Sequence, residues 1–297
     1  MLQEPKFLSA GQFLLTTLVV KLAAMAALAT MLARYHRFRH ILIFEQRNWP
    51  DRLVFALGLA LPLTAGVVSR VLLNYGAADL MLEGALLAGL IAGPYTGAIS
   101  GLIISLPALA AGEYGAPFFA VGCGFAGGGI REACPKEDIW DFSPFVIFSV
   151  PRYAWRMLRG MTINWQVMLL LAPAGLEVIR QVVGDRSPAR LFHLSSPEWD
   201  LSFFVYLATI LTVSTPIKIW NNARIEHRLQ EQEKLLLAAK VEALKSQINP
   251  HFLFNTLASV SSLIRSQPDT ARTVIQKLSG LLRKLMQNQE QFVTLRE

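Results

Sequence analysis

Apolar residues form long uninterrupted runs in the first three quarters of the chain, and polar and charged residues dominate the last quarter. A helix needs about 20 residues to cross a hydrocarbon core about 30 Å thick. Apolar runs of that length occupy residues 11–33, 53–74, 163–183 and 200–220. They predict four membrane-spanning helices.

Two further stretches decide how many spans there are. Residues 82–130 are almost continuously apolar and rich in glycine, which predicts a hairpin of two spans broken near 107–117, around Glu113. Residues 142–160 begin apolar and then carry three arginines, so they form either a short span or an interfacial helix. The predicted count is therefore six or seven.

Charge predicts the orientation. The loop 34–52 carries five arginines and two acids, whereas 74–83 carries two acids and no Lys or Arg. The positive-inside rule places the first loop in the cytoplasm and the second outside. With the N-terminus outside and the C-terminus in the cytoplasm, the number of spans is odd, which favours seven. The connection at Glu113 then falls inside, although it lacks the positive charge expected there.

Composition supports a membrane protein and excludes other classes. Of the 297 residues, 53% are hydrophobic and 16% charged, against about 25% charged in soluble domains. The net charge of +7 comes with basic residues that flank apolar runs, so we expect no nucleic-acid partner. Cys123 and Cys134 have neither disulfide nor metal-ligand spacing, and we expect no metal site. The N-terminal sequence lacks the features of a cleaved signal peptide and is interpreted as the first span.

The polar C-terminal part predicts paired helices. After Trp220 a stretch without Gly or Pro continues to residue 248, and its apolar residues recur at heptad spacing, as in a coiled-coil seam. The seam consists of Leu237, Val241, Leu244 and Ile248. A second helix at 269–289 would fold back on 225–265 as a hairpin. Two copies of this hairpin would form a four-helix bundle, so a homodimer is expected.

One short segment interrupts this regular pattern. Pro250 removes a backbone donor inside a helix and costs about 3 kcal/mol or more, so it marks a kink. His251 follows it, and a neutral imidazole is a competent nucleophile near neutral pH. Asn255 lies one helical turn later and could orient the imidazole or an incoming phosphate. These residues predict a phosphoacceptor site, although an isolated histidine is more often structural.

The string LKSQINPHFLFNTL closely resembles the phosphoacceptor box of the LytS-type sensor histidine kinases, and LSGLLRKLM and VTLRE resemble the segments that follow it. LARYHRFRHIL and EGALLAGLIAGPYTGAISGL are similar to the multi-span sensor region of that family. The resemblance implies autophosphorylation of His251 and transfer to an aspartate of a response regulator. It also implies that the full-length protein uses ATP and Mg²⁺. We expect this chain alone to bind neither. Phe252 stands where commoner histidine kinases carry an acid, so the general base is not identified.

The resemblance further implies that family members continue beyond residue 297 into an ATP-binding domain. We therefore expect a truncated chain that does not autophosphorylate alone. The predicted domains are a transmembrane sensor at 1–220, a coiled-coil signalling helix at 221–248 and a phosphoacceptor and dimerisation hairpin at 249–297. The fold is all-α: a polytopic helix bundle in a bacterial inner membrane, in contact with its lipid, followed by cytoplasmic helices.

The sensor region contains candidate binding residues. Arg70 and Arg131 are placed at similar depth near the outer side, where they could bind a small anionic extracellular ligand, with Glu113 at the other end of the hairpin. Alternatively, Arg70 reaches the interface and Arg131 pairs with Glu132. Four glycines at four-residue spacing, Gly89, Gly93, Gly97 and Gly101, predict one small-residue helix face for close packing or a ligand cavity.

Two other functions compete with a sensor kinase. A transporter or channel with a cytoplasmic coiled coil would account for the glycines and the intramembrane arginines. A membrane-anchored dimerisation module without chemistry would also fit the predicted helices. Neither explains the segment around Pro250 and His251.

Overall fold

The computed structural model describes residues 10–43, 48–76, 79–160, 164–186, 190–194, 199–247 and 250–290. Within those ranges the chain forms helices and turns and no strand, which confirms the all-α prediction. The helices are α1 (Ala10–Arg34), α2 (His36–Ile43), α3 (Trp49–Leu73), α4 (Met81–Ala92), α5 (Pro94–Ala110), α6 (Gly115–Ala133), α7 (Lys136–Asp141), α8 (Val146–Gly160), α9 (Trp165–Arg186), α10 (Trp199–Gln247), α11 (Pro250–Ser266) and α12 (Pro268–Glu290). The chain divides into two compact units, Met1–His227 and Arg228–Glu297.

Four helices are long and apolar enough to cross a membrane: Gly11–Arg34, Trp49–Leu73, Trp165–Arg186 and Ser202–Ala243. Each contains or overlaps one of the four long apolar runs, so the four runs are helical as predicted. The last apolar run and the predicted signalling helix belong to one continuous helix, α10, of 49 residues.

The glycine-rich stretch 82–130 forms three helices, so the prediction of a two-helix hairpin is wrong. The expected break is present, since α5 ends at Ala110 and α6 begins at Gly115. A second break lies at Gly93, whose φ of 97° is a conformation that glycine adopts at little cost. The resulting α4 has 12 residues, about 18 Å of helix, which is too short to cross a bilayer.

The glycines pack helix backbones together, but not as one continuous ladder. Because the chain turns at Gly93, Gly89 and Gly97 lie on different helices. A Cβ atom added to Gly97 would lie 2.7 Å from the Cα of Gly89, and one added to Gly124 would overlap the backbone of Gly97. The prediction that the four glycines share one helix face is wrong. Close packing is nevertheless present where α4, α5 and α6 meet.

The first unit has two ends, defined by side-chain contacts. At one end, here called the Arg70 end, Arg70 of α3 contacts Glu113, which follows α5, and lies over the ring of Phe192. At the other, here called the Trp220 end, Trp220 of α10 contacts Ala29 of α1. Helix α5 therefore returns the chain to the Arg70 end, and α6 carries it away again.

The segment 142–160 contains α8, which begins at Val146 and has 15 residues. Its length is about 22 Å, short of the hydrocarbon thickness. Phe148 is 82% exposed, and Arg152 and Arg159 are also exposed. These features favour the interfacial helix over a seventh span. The side chain of Arg156 lies outside the described residues.

The second unit contains a helical hairpin, as predicted. Helices α11 and α12 are joined at Gln267 and bury Val260 and Ala271. The predicted helix 225–265 is described as α10 up to Gln247 and as α11 from Pro250; residues 248 and 249 lie outside the described residues, so its continuity stays a prediction.

The predicted coiled-coil seam is only partly described. Leu237 and Val241 are 64% and 43% exposed in the single chain. The side chain of Leu244 lies outside the described residues, as does Ile248. The seam therefore stays a prediction.

Candidate functional site

His251 follows Pro250, the first described residue of α11. Residues 248 and 249 lie outside the described residues, so the predicted kink at Pro250 stays a prediction. The His251 side chain is exposed.

Asn255, one turn further along α11, contacts the imidazole. Its Nδ2 atom lies 3.2 Å from Nδ1 and 3.3 Å from Nε2 of His251, and its own side chain is exposed. An amide N–H can donate to whichever ring nitrogen carries the lone pair, so the donor role depends on the tautomer. The predicted partnership between the two side chains is present, and it restricts the orientation of the ring.

This arrangement suits the chemistry of phosphoryl acceptance. An exposed neutral imidazole offers a nitrogen lone pair to an incoming phosphorus atom. Both side chains of this arrangement, those of His251 and Asn255, were predicted from the sequence.

Residues 239–297 match the histidine kinase family. The matched segment includes His251 and Asn255 and covers α11 and α12. No solved structure gives a significant match to the chain.

The curated relatives are sensor kinases. Sensor protein LytS of Streptococcus agalactiae is 44% identical over 69 residues, which are 23% of this chain and 12% of that protein. Sensor histidine kinase YpdA of Escherichia coli is 50% identical over 56 residues, 19% of this chain and 10% of its own length. Sensor protein kinase HptS of Staphylococcus aureus is 34% identical over 77 residues, which are 26% of this chain and 15% of that protein.

The matched segment is similar to the histidine kinase family. Its similarity to LytS, YpdA and HptS confirms the more specific resemblance to the LytS-type sensor kinases. The matched part spans only about an eighth of the length of the first relatives.

In the membrane unit, Arg70 is held by two acids. Its terminal nitrogens pair with the carboxylate of Glu113, one of them at 2.9 Å, and its Nε lies 3.0 Å from the Asp79 carboxylate. Phe192 covers the guanidinium face at 4.4 Å. Arg70 is 6% exposed, so the surrounding protein encloses its guanidinium. The structure thus brings Arg70 and Glu113 together, as direct partners.

Arg131 lies at the other end of the unit. Its Nη1 donates to the Leu90 carbonyl at 3.0 Å, and it lines a cavity together with Arg52. Arg52 and Arg70 are 18 positions apart on α3, about 27 Å along the helix. The prediction that Arg70 and Arg131 share one depth is wrong. The extra reversal at Gly93 explains the error, because it inverts the direction of α6.

Sequence reasoning missed two buried ion pairs. Lys21 of α1 lies 2.6 Å from Glu83 of α4, with side chains 1% and 0% exposed. Glu177 and Arg180 of α9 pair at 2.8 Å and are equally buried. Their signal was available, since Lys21, Glu177 and Arg180 interrupt the long apolar runs, where charge is costly. Glu83 had been assigned to an outer loop.

At the Trp220 end, α10 is anchored by aromatic contacts. Trp220 is fully buried, its Nε1 donates to the Ala29 carbonyl at 3.0 Å, and its ring packs against Phe38 and Phe55. One turn later, the guanidinium of Arg224 lies 3.9 Å from the ring centroid of Trp140. A helix that continues to Gln247 is thus held by α1, α2, α3 and α7.

Proposed function

We propose that the chain is the sensor and phosphoacceptor part of a membrane histidine kinase of a two-component system. In this proposal His251 accepts the γ-phosphoryl group of ATP and passes it to an aspartate of a response regulator. The observation that carries the proposal is an exposed imidazole at the start of α11, in contact with Asn255, within the segment that matches the histidine kinase family.

The transfer would follow from the geometry of this side chain. A nitrogen of His251 attacks the γ-phosphorus, an N–P bond forms, the bond to the bridging oxygen breaks and ADP leaves. Once the attacking nitrogen has bonded to phosphorus, the proton on the other ring nitrogen must pass to a base or to water. Asn255 would orient the ring but, as an amide, would not accept that proton. ATP and Mg²⁺ would be held by a catalytic domain, as the family resemblance implies.

Exposed apolar side chains in the second unit support a homodimer. Leu235, Leu236 and Leu237 of α10 are all more than half exposed, as are Phe254 and Ile264 of α11. Apolar residues at this density require a partner surface. A second copy of the chain would bury them in the predicted coiled coil and four-helix bundle.

For the membrane unit we infer five crossings, α1, α3, α6, α9 and α10, with α4 and α5 as a re-entrant pair. This count keeps the odd number required by an outer N-terminus and a cytoplasmic C-terminus. It also puts Glu113 on the outer side with Arg70, which accounts for the lack of positive charge in that connection. The membrane would be the bacterial inner membrane.

Signal transmission would use the contacts at the Trp220 end. A stimulus that changes the packing of the membrane helices would reach α10 where Trp220 and Arg224 are held. The helix continues without a break to Gln247, three residues before the helix that carries His251. If the stimulus is an anion at the outer side, it would have to displace Glu113 from Arg70. Glu113 and Asp79 already pair with the guanidinium of Arg70.

Radiolabelling tests the proposed acceptor. In the full-length protein, His251→Gln should abolish incorporation of phosphate from γ-labelled ATP, whereas His36→Gln, at an exposed histidine on α2, should leave it unchanged. The label on the wild type should be stable to alkali and labile to acid. Full labelling of His251→Gln would falsify the assignment.

A further inference from the structure

A cavity of about 240 Å³ lies where the chain turns at Gly93 between α4 and α5, at the Trp220 end of the membrane unit. The start of α3 and the end of α6 complete its walls, through Arg52 and Arg131. Pockets for drug-sized ligands measure about 300–1,000 Å³, so this one suits a smaller molecule.

Two arginines from different helices line the cavity, Arg52 of α3 and Arg131 of α6. Arg131 is fixed by its bond to the Leu90 carbonyl in the last turn of α4. Arg52 lies beside Trp49, with its guanidinium carbon 5.4 Å from the ring centroid. Its buried Nε has no hydrogen-bond partner among the described residues. A planar guanidinium group can bind a carboxylate or phosphate through two parallel hydrogen bonds.

The start of α5 adds to the same positive region. Pro94 is its first residue, and the preceding Gly93 provides no side-chain cap for the first turn. No atom lies within 4 Å of the position where a Cβ of Gly93 would stand, so the approach to this turn is open. The first-turn amides that a cap would satisfy therefore face a space that two arginines share.

Among the described residues that line the cavity, Glu132 is the one acid, and its side chain is exposed. The Leu90 carbonyl accepts from Arg131. The described lining thus combines two arginines and the start of α5 with one acid.

We propose that this cavity binds a small oxyanion, a phosphate or carboxylate group, between Arg52, Arg131 and the start of α5. The site is separate from Arg70, which two acids neutralise, and it does not depend on the proposed kinase function. The phosphate group has two sources, a free anion in solution or the headgroup of a phospholipid at the membrane surface.

The test uses the purified chain in detergent, titrated with inorganic phosphate and followed by isothermal calorimetry. Arg52→Gln should weaken binding about tenfold or more, as expected for a lost charge-assisted hydrogen bond. Arg52→Lys should have a smaller effect, because it keeps the charge without the planar fork. Arg159→Gln is the matched control, since this exposed arginine also stacks on a tryptophan but lies on α8.

A lipid source is tested in nanodiscs of phosphatidylcholine with and without phosphatidylglycerol. If the headgroup is the ligand, phosphatidylglycerol should raise the melting temperature of the wild type and of Arg159→Gln but not of Arg52→Gln. Circular dichroism of each variant verifies that it is folded. An equal response of all variants to both probes, or no response of the wild type to either, would overturn the proposal.

Discussion

Trp220 and Ala29 are 191 positions apart, yet the indole nitrogen of one donates to the carbonyl oxygen of the other at 3.0 Å. The bond joins the first membrane helix to the helix that leaves the membrane unit. Because the indole is fully buried, its N–H has no access to water as an alternative partner.

We expect Trp220→Phe to lower the free energy of unfolding of the membrane unit by about 1–3 kcal/mol, from the lost hydrogen bond and the smaller ring. Denaturation of the purified chain followed by circular dichroism measures this. Trp155→Phe provides the control, because Trp155 is 58% exposed and should tolerate the change. Under the proposed function, Trp220→Phe should also alter how phosphorylation responds to the stimulus. Unchanged stability together with an unchanged response would contradict the role given to this contact.

Gly97→Ala should destabilise the unit, by about 1–3 kcal/mol or more. The added methyl group would press against backbone atoms of Gly89 and Gly124, which cannot rotate away. Gly175→Ala is the matched control, since this glycine on α9 has open space around it. There the change should be neutral or stabilising by about 0.5–1 kcal/mol, the ordinary advantage of alanine in a helix. Melting temperatures in detergent distinguish the two variants. Equal melting temperatures would show that close packing at Gly97 does not stabilise the junction of α4, α5 and α6.

Glu113→Gln should destabilise the Arg70 end. Removing one member of a buried charge pair typically costs about 3–5 kcal/mol; since Glu113 keeps some solvent exposure and Asp79 remains beside Arg70, we expect the lower part of that range. The double variant Arg70→Gln with Glu113→Gln should lose less than the sum of the single variants, because the two groups interact directly. Additive losses in a thermal denaturation cycle would show that the pair is not coupled. Glu132→Gln, at an exposed acid, serves as the control.

Asn255→Ala should slow phosphorylation of His251 about tenfold in the full-length protein, because the ring would lose the partner that orients it. The initial rate of label incorporation measures this, and the apparent KM for ATP should change little. Thr256→Val is a neighbouring control, since the Thr256 hydroxyl bonds only to the carbonyl of Phe252 within the helix. Equal rates for Asn255→Ala and the wild type would leave Asn255 without a positioning role.

Cys134 should react slowly with thiol reagents. Burial, together with the nearby Asp138, raises the pKa of its thiol from 9.0 to about 11. Since the thiolate is the reactive form, the rate of alkylation in a Cys123→Ala background should rise with pH and pass its midpoint near pH 11 in the folded chain. The unfolded chain should pass its midpoint near pH 9.0. Coincident pH profiles for the folded and unfolded chains would disprove the shift.

Local patterns were sufficient for the long helices and for the residues of the phosphoacceptor segment. Each long apolar run is itself a helix, and the string around His251 is contiguous, so neither depends on distant contacts.

The arrangement of helices inside the membrane unit could not be predicted from local sequence patterns. Residues on either side of Gly93 are equally apolar, so hydropathy gives no sign of a reversal there. Because the turn at Gly93 was not predicted, the predicted direction of α6 was reversed. Arg131 was therefore predicted at the Arg70 end, whereas it lies at the Trp220 end. The pair of Lys21 with Glu83 joins residues 62 positions apart, and only the packing of α1 against α4 brings these side chains together.

Helix α4 is buried along its entire length, which bears on how the protein is made. A segment of 12 residues is too short to be retained in the bilayer as a span, and its neighbours α5 and α6 are synthesised after it. Lys21 and Glu83 would face lipid singly until α4 docks, so α4 should reach its place only after α6 has emerged from the ribosome and inserted.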